Sequence, residues 1–186
     1  MPVFLEPRDV TEELEGFSSV LIVSCPVCPP MSLAMREKQP FIEFFKHGLK
    51  TKVFEDYIAA IRAPLEARGV RTDVFSMRLP SPLMCLWTEG QHRRLRERAK
   101  GYEAVLVLGC NSATYSAQDA LKGTGCQVIQ AMRMKAMANA TLKVRPPLTV
   151  DLEIHPLPKR RGSHRDVTPA GHGNDKETDG PERAPH

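Results

Sequence analysis

Five cysteines, Cys25, Cys28, Cys85, Cys110 and Cys126, are the side chains of this sequence best suited to carry chemistry. Cys25-Pro26-Val27-Cys28 sets two of them far enough apart for both sulfurs to reach one centre from a single loop. Thiolate sulfur is a soft, charged ligand, and sets of such ligands suit zinc or iron–sulfur chemistry. An odd count of cysteines, in a chain whose start lacks the basic-then-apolar order of a secretory leader, argues against a disulfide framework. That leaves three roles: ligands to a metal or cluster, redox thiols, or inert core residues. The first is expected for Cys25, Cys28, Cys85 and Cys110, with Pro26, Pro29 and Pro30 stiffening the loop that carries the pair. Thiol–disulfide exchange by Cys25 and Cys28 alone is the rival, because a CxxC between a strand and a helix start is also a redox arrangement.

The elements that must position these sulfurs alternate along the first 155 residues. Residues 18–24 and 103–109 are continuous β-branched apolar runs, the pattern of strands covered on both faces. Strands are also expected at 70–77, after the helix stop Gly69, and at 126–129, after Gly123-Thr124-Gly125. Residues 148–154 alternate apolar with acidic, and the preceding Pro146-Pro147 suits an edge strand. Phe54, Tyr57, Ile58, Ile61 and Leu65 recur at helical spacing, with Pro64 expected to kink or break that helix. A second helix is expected over 88–100 and a third from an N-cap at Ser112 to Gly123. Alternating strands and helices predict an α/β fold of three layers, with a mostly parallel sheet of Rossmann or flavodoxin type. A long helical insertion is expected at about residues 29–52, its aromatic stretch Phe41-Ile42-Glu43-Phe44-Phe45 packing on the core.

In such a sheet the carboxyl ends of the strands share one edge, and ligands bind there. Cys25 and Cys110 follow two of the expected strands directly, and Cys28 and Cys85 lie in the loops after strands. Neighbouring strands lie about 4.8 Å apart, so the four sulfurs can meet. Cys126 falls at the amino end of its strand, where core packing is expected. Asn111, Ser112 and Thr114 open the helix after Cys110, and amides at a helix start favour anions. A nucleotide- or flavin-binding module is therefore an alternative, although neither GxGxxG nor a Walker lysine is present. The arginine-rich stretch 91–100 reads as a solvated helix face that could also dock an acidic partner. His47, His92, Met132, Met134 and Met137 stand in no ligand spacing, and no residue set suggests a hydrolytic centre.

Composition sets the outer bounds. The 186 residues are 41% hydrophobic and 26% charged, as in ordinary globular domains. No apolar run approaches the length of about 20 residues needed to span a bilayer, and a cytoplasmic protein is expected. A net charge of +4 is too mild to call for nucleic acid. From residue 156 to 186 the sequence is rich in His, Pro, Gly and charge, and is expected to be a disordered tail beyond a domain of residues 1–155.

The succession Val-Ser-Cys-Pro-Val-Cys, a lone Cys85, and Tyr102-Glu103-Ala104-Val105-Leu106-Val107-Leu108-Gly109-Cys110 resembles a known family. It is similar to the iron–sulfur delta subunit of methyl-viologen-reducing hydrogenases and its heterodisulfide-reductase-associated relatives. The resemblance spans residues 18 to about 120 and is most specific at the Cys110 strand. It implies a 2Fe–2S cluster and electron transfer to a redox partner subunit within a larger complex. The chain departs from the family after Cys110, where Asn111-Ser112-Ala113-Thr114-Tyr115 replaces His-Pro-Gly-Asp-Cys.

Overall fold

The computed structural model describes residues 3–77 and 87–155. In chain order these form β1 (Val3–Pro7), β2 (Ser19–Ser24), α1 (Cys28–Glu37), β3 (Ile42–Glu43), α2 (Phe44–His47), α3 (Lys52–Ala67) and β4 (Arg71–Ser76). Then follow α4 (Glu89–Ala99), β5 (Ala104–Leu108), α5 (Asn111–Leu121), β6 (Gln127–Gln130), β7 (Met132–Met137), β8 (Ala140–Arg145) and β9 (Thr149–Ile154). Cys85 and the expected tail from residue 156 lie outside the described residues.

A four-stranded parallel sheet in the order β4-β2-β5-β6 is the centre of this α/β arrangement. Every residue of β2 and β5 is buried, which is why both read as unbroken apolar runs. Val20, Ile22, Leu106 and Leu108 pack against Leu33 of α1 and Phe54, Ile58 and Leu65 of α3. Leu21, Val23, Val105 and Val107 point the other way, onto Leu95 and Ala99 of α4 and Ala117 and Leu121 of α5. Helices thus cover both faces.

Local chemistry sets the helix ends. Thr88 caps α4 in a reciprocal box, its amide donating to Gln91 Oε1 at 2.7 Å and its hydroxyl accepting from Gln91 N–H at 3.3 Å. Gly69, at φ 79°, lets α3 close: Val70 N–H donates to Leu65 O at 3.0 Å and Gly69 N–H to Glu66 O at 2.9 Å. Pro64 does not break α3, which continues to Ala67. It sits in the last turn, where one missing donor disturbs little of the ladder.

Two small sheets flank this centre. β1 and β7 form an antiparallel ribbon, and β3, β9 and β8 form a three-stranded antiparallel sheet. The expected edge strand at 148–154 is instead the middle strand, β9, with β3 and β8 on its two sides. Pro146-Pro147 precedes the strand in the turn from β8, so neither proline takes a donor from the ladder. The aromatic stretch departs from expectation too. Phe41 packs beside Met31 and Met35, Ile42 and Glu43 pair with β9, and Phe45 is 70% exposed. The stretch expected as a helical insertion therefore holds a short strand between two helices. No helix among the described residues is long and apolar enough to cross a membrane.

Candidate thiolate site

The parallel strands follow the chain order β2, β4, β5, β6, yet β2 lies between β4 and β5. The chain leaves β2 toward one side and returns past it to the other. The carboxyl ends of β2 and β5 therefore flank the place where the strand order reverses, the usual site of a ligand crevice in an open α/β sheet. Ser24 is paired with Leu108, and the Cys25 amide extends the ladder by donating to Leu108 O at 3.0 Å. Cys25 is thus level with Gly109, and Cys110 lies one residue further on.

Gly109 is required at this point. A Cβ there would stand 2.7 Å from the Ala113 Cβ and 3.6 Å from the Cys25 Cβ. Its absence lets α5 start close against the end of β5. Cys110 is extended and forms the N-cap of α5, and its carbonyl accepts from the Thr114 amide at 3.1 Å and hydroxyl at 3.3 Å. Cys25 and Cys110 are half-buried.

Cys28 is the first residue of α1 and only 6% exposed. Its carbonyl accepts a hydrogen bond from the buried Ser32 hydroxyl at 2.7 Å, and the Ser32 oxygen accepts from Leu5 N–H at 2.9 Å. One serine thereby ties the start of α1 to β1. Pro29 and Pro30 belong to the first turn of this helix rather than to a loop. Their missing N–H groups would have no partner there in any case, so they favour helix entry. Both α1 and α5 bring the positive end of their backbone dipoles to the rim, which favours anionic groups.

The other expected site residues lie as follows. Asn111 Oδ1 accepts from Gln130 Nε2 at 2.8 Å, and Thr114 is buried with its hydroxyl on Cys110. Ser112 is exposed and is the second residue of α5, so it is not the N-cap. Cys110 holds that position because the strand ends at Leu108 and the helix begins at Asn111. Cys126 precedes β6, packs with the α4 and α5 layer, and burial pushes its thiol pKa up. His47 is 3.9 Å from Glu43 in α2's own turn. His92 is half-buried beside Trp87, and its Nε2 has no hydrogen-bond partner among the described residues. Met132 is buried, while Met134 and Met137 are exposed.

Among the described residues, no three His, Cys, Asp or Glu side chains stand together closely enough to hold a metal ion. The rim supplies three cysteine positions at one edge but does not close a ligand set by itself. One feature escaped the sequence reading: Ser24 Oγ donates to Ser76 Oγ at 3.0 Å, tying the ends of β2 and β4 together beside Cys25. The sequence marks it only by Ser24 at the end of an apolar run and Ser76 next to the end of the strand expected at 70–77. Comparison with family models, with curated proteins and with solved structures finds no match to this chain.

Proposed function

We propose that this chain is an accessory electron-transfer subunit that carries an iron–sulfur cluster, or a zinc ion in its place, on cysteines at the carboxyl edge of its parallel sheet. The register that sets Cys25 level with Gly109 supports this reading, because it brings two separate strand-to-helix connections to one rim. Cys25, Cys28 and Cys110 are the proposed ligands among the described residues, and the proposal needs Cys85 to complete the set. A cluster would supply one-electron transfer, whereas zinc held by four thiolates would be a structural tie. The chain's own part is to pre-position the sulfurs. Pro29 and Pro30 favour the first turn of α1, Ser32 fixes the Cys28 carbonyl, and two helix starts favour negative charge. The doubly wound, flavodoxin-like architecture belongs to the same proposal, since the order β4-β2-β5-β6 agrees with the first four strands of that fold. So does a redox subunit as partner, which rests on the resemblance to the hydrogenase delta subunit.

Metal analysis and a visible spectrum of anaerobically purified protein test the proposal. Iron with sulfide-to-iron absorption, lost in Cys25→Ser and in Cys110→Ser, is the expected result. Zinc without colour, lost in the same variants, selects the structural tie. Metal-free, colourless protein from iron-replete cells overturns both.

The reversal of strand order favours one second reading, a nucleotide or flavin whose phosphate meets the start of α5. Asn111 and Thr114 already hydrogen-bond within the chain, so backbone amides would have to carry the contact. Bound yellow flavin, or a thermal shift with nucleotides, supports this reading; silence in both removes it.

A further inference from the structure

One strand away from the cysteine rim, a cavity of about 660 Å³ opens between the carboxyl end of β4 and one side of α4. Phe75, Ser76 and Met77 line it from the strand side, and Gln91, Arg93, Arg94, Glu97 and Arg98 from the helix. Its place relative to the cysteines is fixed by hydrogen bonds. Ser76 Oγ accepts from Ser24 Oγ at 3.0 Å, Met77 N–H donates to Ser24 O at 3.0 Å, and Ser24 directly precedes Cys25.

The charge on its wall is unequally compensated. Arg98 is paired with Asp73, and Glu97 with Lys100 at 2.6 Å. Arg93 and Arg94 are exposed and form no ion pair among the described residues. These two guanidinium groups, unpaired among the described residues, line the cavity together with the half-buried Phe75 and the buried Met77. Guanidinium is a planar fork that matches carboxylate, sulfonate or phosphate oxygens, and it loses less hydration than an ammonium when a ligand covers it. A volume of this size lies within the range of small-molecule sites, roughly 300–1,000 Å³.

We infer that this cavity binds a small amphipathic anion, with the charged head on Arg93 and Arg94 and the apolar body against Phe75. The concave shape favours a compact ligand over the broad surface that a docked protein would need. None of Cys25, Cys28 and Cys110 lines the cavity, so the assignment does not use those three proposed ligands.

Isothermal titration of the full-length protein with naphthalene-1-sulfonate tests it, with the uncharged naphthalene-1-methanol as control. One sulfonate per chain is expected, bound at least tenfold more weakly by the double variant Arg93→Gln/Arg94→Gln and by wild type at high salt. Both arginines are exposed, so the variant should keep the wild-type melting temperature, which is measured alongside. Cys25→Ser should bind the sulfonate as wild type does, separating this proposal from that for the thiolate site. Absence of binding, equal affinity in the double variant, or equal affinity for the uncharged control overturns the proposal. Binding of a glutamate-rich peptide in place of the sulfonate also overturns it, by assigning the arginines to a protein partner.

Discussion

The parallel sheet and the three-stranded antiparallel sheet of this protein use their apolar residues in opposite ways. In β2 and β5 both faces are buried under helices, and no charged residue interrupts either strand. In β8 and β9, Ala140, Leu142 and Val144 stand opposite Ile154, Leu152 and Val150 on one face, while the other face carries Lys143, Arg145, Asp151 and Glu153. The apolar face is only partly covered: Ala140 and Leu152 pack with Met31 and Met35, but Leu142 is 60% and Val144 65% exposed. Stability therefore resides chiefly in the parallel sheet. The cysteine rim is built on the strands whose side chains are entirely enclosed, so its geometry is supported by packing rather than by surface charge.

The sharpest break of this contrast is a pair of identical truncations. Leu106→Ala removes a fully buried side chain at the centre of β5 and is expected to cost about 2–5 kcal/mol in urea denaturation. Leu142→Ala, on the exposed face of β8, is expected to stay within about 0.5 kcal/mol of wild type. Similar losses for the two would mean that the antiparallel sheet is packed against something and that the contrast is false.

Gly109→Ala tests whether that rigidity reaches the rim. The added methyl group would stand 2.7 Å from the Ala113 Cβ, so either α5 or the β5 turn must move. Overpacking of this kind costs about 1–3 kcal/mol, and the displacement acts first on Cys110. Lower stability together with reduced metal content in anaerobically purified protein is the expected outcome. Lower stability with unchanged metal content would separate the strand end from the proposed centre.

How far the sequence was legible follows the same divide. β2 and β5 could be read directly, because a strand buried on both faces has no polar positions to confuse its period. From them the parallel sheet and the placement of Cys25 and Cys110 at one edge followed. The flanking strands were harder. β1, Val-Phe-Leu-Glu-Pro, and β7, Met-Arg-Met-Lys-Ala-Met, carry charge, proline or unbranched side chains, and only their pairing with each other makes them strands. β8 alternates cleanly, but Leu142 and Val144 remain exposed, so burial gave little reason to look for it. At the site, the prolines after Cys28 were legible as stiffeners and not as the first turn of a helix. The fit of Gly109 against Ala113 depends on how closely α5 approaches β5, which no single-strand pattern records. The cavity between β4 and α4 was out of reach for a similar reason: its arginines read as a solvated face until the strand opposite them was in place.

The smallest effect concerns the charged face of the antiparallel sheet. The Arg145 guanidinium donates to the Asp151 carboxylate and holds its pKa below the usual value of 3.8, and the Lys143 ammonium acts in the same way on Glu153, ordinarily 4.5. A carboxylate whose folded pKa is depressed adds stability above its unfolded pKa, and that contribution disappears as pH falls through the lower, folded value. Between pH 7 and pH 5 the two pairs should therefore contribute a constant amount. Below the usual carboxylate range, amide protection in β8 and β9 should fall. Both pairs are exposed and screened, so the change is local and modest rather than a global transition. Protection at Leu106 in β5 is the internal reference, since no titratable residue lies within that strand. Glu103, the residue before β5, has its pKa lowered in the same way, its carboxylate accepting the Ser18 amide just before β2. The first residues of both strands are therefore unsuitable as a reference, and Leu106, further along β5, is used. In the triple variant Glu43→Gln/Asp151→Asn/Glu153→Gln, which also removes the β3 carboxylate that Lys46 holds below its usual range, protection in β8 and β9 should no longer respond to this acid step. A response that survives the triple variant would show that the sheet is held against acid by something other than its carboxylates, and that it is closer in kind to the buried sheet than its exposed side chains imply.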